Sequence, residues 1–249
     1  MAEQALNADE QWQKWGGVLG SLTHFEFTPK ETALVIVDMQ YSDAHRDYGI
    51  GAKAKKLGTE AQYAYYFDRL DALVIPNIQR MQHFCRSAGI EVIFLRIASL
   101  LRDGRELNNM QKRSGTLVAS VGSKETEILE EIAPLDNELV INKGTSGVFN
   151  GTAFDQILDN MGITNLIFCG VGTNYCVETS VRDAGDRNYN VIMLSDDCAA
   201  RNAEHERLAA EILDGIYCRM LTTDEAIALL QPALATPPPQ PELAAQRRT

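Results

Sequence analysis

Leu166-Ile167-Phe168-Cys169-Gly170-Val171-Gly172-Thr173-Asn174-Tyr175-Cys176-Val177 reads as a short apolar run, a glycine-punctuated bend and the opening of a helical stretch that continues to about Arg187. A strand that turns tightly into a helix is the repeating unit of a parallel α/β sheet. The bend also carries a thiol. Cys176 at the first turn of a helix faces unpaired N–H groups and the positive end of the helix dipole, both of which favour thiolate over thiol. The sequence therefore offers Cys176 as a nucleophile, against the alternative of a small buried apolar residue.

Outward from this stretch the same alternation recurs. Apolar and β-branched runs place strands at Ala33–Val37, Glu91–Leu95, Glu138–Ile141, Leu166–Cys169, Val191–Leu194 and Tyr217–Leu221. Helical periodicity predicts helices near Phe67–Ser87, Lys124–Ile132, Thr152–Met161, Tyr175–Arg187, Ala203–Asp214 and Thr223–Leu230, with Gly89 and Gly162 as C-terminal caps. The expected fold is α/β: a three-layer α/β/α domain around a central, mostly parallel six-stranded sheet. It is expected over residues 29–232. Residues 1–28, with Trp12 and Trp15, read as an N-terminal arm able to pack on a neighbour, and 233–249, with Pro237-Pro238-Pro239, as a disordered proline-rich tail.

Charge and composition narrow the class. A net charge of −11 without a basic cluster argues against nucleic acid and suits a small neutral or cationic substrate. Five scattered cysteines, with no Cys-x-x-Cys pair and no export signal, predict free thiols in a reducing, cytoplasmic setting. No apolar run has the roughly 20 residues a membrane helix requires, so no membrane partner is expected.

In an open parallel sheet, chemistry collects beyond the carboxyl ends of the strands. Asp38 follows Leu34-Val35-Ile36-Val37, Lys143 follows Val140-Ile141-Asn142, and Cys176 follows Leu166–Cys169 by a short turn. A strand-ending aspartate is often a turn former and a lysine there is often solvated. Their joint placement with a thiol instead suggests nucleophilic catalysis, which needs a nucleophile, a base and a group that balances charge.

Val37-Asp38-Met39-Gln40, Lys143 followed by Ser146-Gly147-Val148-Phe149, and Gly170 to Val177 with Arg182-Asp183 beyond occur in the order and approximate spacing of the isochorismatase-like cysteine hydrolases. The chain resembles that family over roughly Glu31 to Leu230. The resemblance implies a catalytic triad of Asp38 as base, Lys143 as electrostatic anchor and Cys176 as nucleophile. It also implies an oxyanion hole from the backbone N–H groups of Gly172 and Cys176, after a cis bond between Val171 and Gly172.

The metal-dependent nicotinamidase branch binds its ion through an Asp-x-His pair shortly after the first strand and a further histidine after the second; this chain has only His24, His45, His83 and His205, and Arg96-Ile97-Ala98-Ser99 stands where the latter falls. No metal and no cofactor are expected. Cys176 argues for C–N cleavage, placing the chain with hydrolases of biuret, triuret, ureidoacrylate and N-carbamoylsarcosine, triuret-like substrates first. A glutamine expected near the last strand for biuret is missing from Leu213-Asp214-Gly215-Ile216-Tyr217. Expected substrate contacts are Tyr41, Arg96, Arg113, Phe149, Asn150 and Tyr175, each with the alternative of a packing or solvated role. The rival functions are vinyl-ether hydrolysis of the isochorismatase kind and ligand binding without turnover. A homo-oligomer, dimer or tetramer, is expected from the resemblance.

Overall fold

The computed structural model describes residues 27–114 and 119–235, together with Thr23 and Phe25. The arm with its two tryptophans and the Pro237-Pro238-Pro239 segment lie outside the described residues. Six strands form one sheet in the order β3-β2-β1-β4-β5-β6. They are β1 (Thr32–Val37), β2 (Glu91–Ile97), β3 (Leu139–Lys143), β4 (Asn165–Val171), β5 (Asn190–Ala199) and β6 (Arg219–Leu221). Every pairing is parallel, which sharpens the expected "mostly parallel" sheet.

The central strand β1 is Thr-Ala-Leu-Val-Ile-Val and is buried along its whole length, as a strand covered by helices on both faces must be. Its side chains alternate between two cores. Leu34 and Ile36 face a cluster with Leu70, Val74, Ile78, Met81, Ala226 and Leu230, whereas Ala33, Val35 and Val37 face Phe154, Leu158, Val181, Ala184 and Leu213. The helices Ile75–Ala88 and Thr223–Ala235 therefore cover one face, and Phe154–Met161, Glu178–Asp186 and Ala203–Leu213 the other. This is the three-layer arrangement.

Three departures from the expected elements have local causes. The helix expected over Phe67–Ser87 starts at Ala64 and contains a π-helical turn, Leu70–Val74, directly before Ile75-Pro76. Pro76 has no N–H to donate back along the helix, and the widened turn accommodates that loss. The segment expected as a helix over Lys124–Ile132 forms only two 3-10 turns, Lys124–Thr126 and Glu130–Ile132. Between them Ile128 bridges Gln40, Glu127 accepts from Tyr41 N, and Leu129 N donates to Met39 O, so pairing with the chain beyond β1 replaces helical bonds. The last helix, expected over Thr223–Leu230, continues to Ala235.

Glycines act at two close approaches. Gly170 has φ 111°, and a Cβ there would lie 2.2 Å from Val37 O, so β4 packs against the end of β1 only without a side chain. Gly51 opens toward Arg46 O, which a Cβ would meet at 2.2 Å. Gly89 and Gly162 cap their helices in the left-handed region at φ 68° and 69°.

Candidate active site

The sheet order brings the ends of β1, β3 and β4 to one edge. Asp38, the residue after β1, has φ 51°, an uncommon conformation for a non-glycine residue, and its N–H donates to Leu95 O at 2.9 Å. Its carboxyl is 2% exposed and Lys143, the last residue of β3, is 1% exposed. Lys143 Nζ donates to Asp38 Oδ2 at 2.8 Å and to Thr145 O at 3.1 Å. A buried charge survives only when paired in this way.

Cys176 sits in a π-helical turn, Thr173–Val177, that precedes the helix Glu178–Asp186. Its thiol is close enough to the Asp38 carboxyl for each to influence the other's pKa, and Asp38 Oδ1 has no hydrogen-bond partner among the described residues. The peptide bond between Val171 and Gly172 is cis, as the resemblance implies. Gly172 O accepts from Tyr175 N and Val177 N, which folds the chain back so that Gly172 and Cys176 border the same space.

Electrostatics correct one expectation. The thiol was expected to be drawn toward thiolate by its helix terminus. Burial, and then the Asp38 carboxylate, instead push its pKa up despite Lys143. Burial likewise raises Asp38 against the opposing pull of Lys143. Burial alone would lower Lys143, but Asp38 and then Cys176 outweigh it and hold its pKa up. The thiol therefore rests in its neutral form, beside a carboxyl that is a stronger base than an ordinary one.

A cavity of about 490 Å³ opens over these groups. Besides Asp38, Cys176 and Gly172 it is lined by Asp43, Tyr63, Tyr66, Ile97, Ser146, Tyr175 and Arg201, among others. Of the six residues expected to contact substrate, Tyr175 borders this cavity and is 59% exposed. The other five are placed elsewhere. Arg96 spends its guanidinium on Asn142, its register partner on β3, and on Thr126 O. Arg113 is exposed. Tyr41 packs in the core with Tyr48 and beneath Lys124, and Phe149 packs on Phe154 and Tyr189. Asn150 donates to Asp183 at 2.7 Å.

Sequence reasoning did not single out Asp43, Tyr66 or Arg201. Asp43 belongs to a one-turn helix, Tyr41–Ala44, too short to show periodicity. Arg201 lies two residues past the end of β5, at a sheet edge where the carboxyl-end rule could have found it.

The comparisons agree with this architecture. The cysteine hydrolase from Pseudomonas syringae pv. phaseolicola 1448A superposes with a TM-score of 0.70 at 24% identity, covering 85% of this chain and 97% of that one. N-carbamoylsarcosine amidase from Thermoplasma acidophilum gives 0.60 at 22% identity, over 78% and 97%. In sequence, the ureidoacrylate amidohydrolase RutB of Pseudomonas syringae pv. syringae (strain B728a) is 32% identical over 199 residues, 73% of this chain and 76% of that protein. The corresponding RutB of Serratia proteamaculans (strain 568) is 32% identical over 186 residues, 68% and 70% of the two chains. The isochorismatase domain matches residues 32–225, the stretch that builds the sheet and brings Asp38, Lys143 and Cys176 together, and this chain belongs to the isochorismatase family.

Proposed function

We propose that the protein is a cysteine-dependent amidohydrolase that cleaves a C–N bond of a small ureide or carbamoyl compound through a covalent acyl-enzyme. The observation that carries this reading is the convergence of a buried thiol, a buried carboxylate and a buried ammonium beneath one cavity. Relatives named as ureidoacrylate amidohydrolases support the ureide class. Triuret- and biuret-like compounds belong to the same class and are the substrates the sequence favours.

The geometry supports the following course. As Cys176 Sγ attacks the carbonyl carbon, Asp38 Oδ1 takes the thiol proton and the C=O electron pair moves onto oxygen. The N–H groups of Gly172 and Cys176 receive that oxyanion, and Lys143 balances the charge of the pair. The C–N bond then breaks, and the departing nitrogen takes the proton from Asp38 and leaves as ammonia or an amide. Water attacks the remaining thioester with Asp38 as base. The C–S bond breaks, Cys176 recovers its proton, and the acid is released. Burial raises the pKa of the thiol and of the carboxyl together, so the group that receives the proton is a stronger base than an ordinary carboxylate.

The test is ammonia release from biuret, triuret, ureidoacrylate, N-carbamoylsarcosine, nicotinamide and maleamate, with wild type and Cys176→Ser side by side. Ureides are expected to turn over, and the variant to lose at least about 1,000-fold in rate. Turnover of none of these compounds, or a Cys176→Ser protein as active as wild type, overturns the reading. Vinyl-ether cleavage that survives Cys176→Ala would establish the isochorismatase-type reaction instead.

A further inference from the structure

The mechanism leaves one carboxyl in the cavity unused. Asp43 lines the same space as Asp38 and Cys176 and is only partly buried. A chain of buried bonds fixes its position. Gln40 takes the N–H of Ile97 at 2.7 Å on its side-chain oxygen and donates to Ile97 O at 3.0 Å and to Ser42 Oγ at 2.8 Å. Ser42 Oγ in turn donates to Asp43 Oδ2 at 2.5 Å. The backbone is fixed as well, since Tyr66 Oη donates to Asp43 O at 2.9 Å and Asp43 N donates to Gln40 O at 3.1 Å. An aspartate serving only the first turn of a short helix would face solvent; this one lines the reaction cavity.

Arg201 lines the same cavity, with its guanidinium over the Tyr63 ring at 5.0 Å and a bond to Gln62 Oε1 at 2.8 Å. One cavity thus presents an acceptor and a donor beyond the reacting groups. A linear ureide alternates N–H donors with C=O acceptors and matches both.

Resting on the amidohydrolase reading above, we propose that Asp43 is a specificity-determining residue that accepts hydrogen bonds from the N–H groups of the substrate beyond the scissile carbonyl. It thereby selects ureides ending in an amide over those ending in a carboxylate. A terminal carboxylate brings a like charge to Asp43, whereas a terminal amide brings the donors a carboxylate needs.

The selection is pH-dependent. Burial, and then the Asp38 carboxylate, push the Asp43 carboxyl up to about 7, while the Ser42 hydroxyl and Lys143 pull the other way. The groups that share its surroundings are Asp38 after β1, Lys143 on β3, Cys176 after β4, Tyr66 from the Ala64–Arg69 helix and Arg201 after β5. Above neutrality Asp43 is charged and selective, and below it the proton removes both its acceptor strength and its repulsion. Titration of Asp38 or Cys176 changes the rate on both substrate types and cancels in their ratio.

The experiment measures kcat/KM for triuret and for ureidoacrylate between pH 6 and 8, in wild type and in Asp43→Asn and Asp43→Ala. In parallel, calorimetric Kd values for both ligands are taken on Cys176→Ser and on Asp43→Asn/Cys176→Ser. The wild-type preference for triuret should rise with pH, and Asp43→Asn should lose about 10- to 100-fold of it at pH 8 and show a flat ratio. A ratio and pH dependence unchanged in the variants, or an equal loss on both substrates, overturns the proposal. If wild type hydrolyses neither compound, the paired Kd values still decide the role of Asp43, and the amidohydrolase reading is judged on the wider set of substrates above. Absence of binding of both ligands to Cys176→Ser overturns the proposal for Asp43.

Discussion

Replacing Lys143 with methionine keeps most of the aliphatic stem and removes the ammonium that Asp38 pairs with at 2.8 Å. Both partners are almost inaccessible, so water cannot take over. Removing one member of a buried pair costs about 3–5 kcal/mol, because the other is left as an uncompensated charge. Asp38 can escape part of that cost by binding a proton. Its folded pKa already lies above the ordinary carboxyl value, with burial the leading cause and Lys143 the chief opposing influence. Without Lys143 it rises further.

The sign follows from linkage. A carboxyl whose folded pKa exceeds its unfolded one lends stability below the unfolded value and loses it as pH rises toward the folded value. Wild type and variant both lose stability on leaving pH 4, but wild type levels off first because Lys143 holds its Asp38 lower. The deficit therefore opens between the two folded pKa values, at up to about 1.4 kcal/mol per pH unit, and then saturates. Urea unfolding followed by circular dichroism at several pH values measures it. The double variant Asp38→Asn/Lys143→Met, which has neither charge, should recover all but about 1–2 kcal/mol. A single variant within about 1 kcal/mol of wild type at every pH, or a double variant no more stable than the single, would refute the argument.

Gly170→Ala places a methyl 2.2 Å from Val37 O at φ 111°; it is expected to cost at least about 3 kcal/mol and to separate β4 from the end of β1, and a wild-type Tm would contradict this. Iodoacetamide at pH 8 should label Cys176, the one cysteine lining the reaction cavity among the described residues, slowly and faster with rising pH because its thiol pKa is raised. Peptide mass spectrometry showing Cys85 or Cys169 labelled first in the folded protein would count against it. Tyr66→Phe removes the donor to Asp43 O and should lower stability by about 1 kcal/mol. A larger loss of stability than that would mean the hydroxyl supports more than this one turn.

The sheet was legible because its central strands are unbroken apolar runs, and β1, β2 and β4 fall within two residues of their expected bounds. Elements governed by distant contacts were not legible. Lys124–Ile132 has helical composition, but Ile128 pairs with Gln40. The helix Gly49–Leu57 opens on two glycines that a scan reads as breakers, yet their Cβ positions are occupied by Ser42 and Arg46 backbone. The three reactive positions were visible because strand ends are visible. The direction of the Cys176 shift was not, because burial is a property of the whole fold. Arg96 looked available for a ligand until its neighbour on β3 was seen to bind it.

The strand order has a consequence for which cation can serve here. Since β2 lies between β3 and β1, the ammonium must bridge two inter-strand gaps of about 4.8 Å each to reach the carboxylate. Only a side chain with a long stem can cross that distance. The sheet therefore acts as a ruler: a shorter amine set at the end of the outermost strand would carry the right charge and miss its partner.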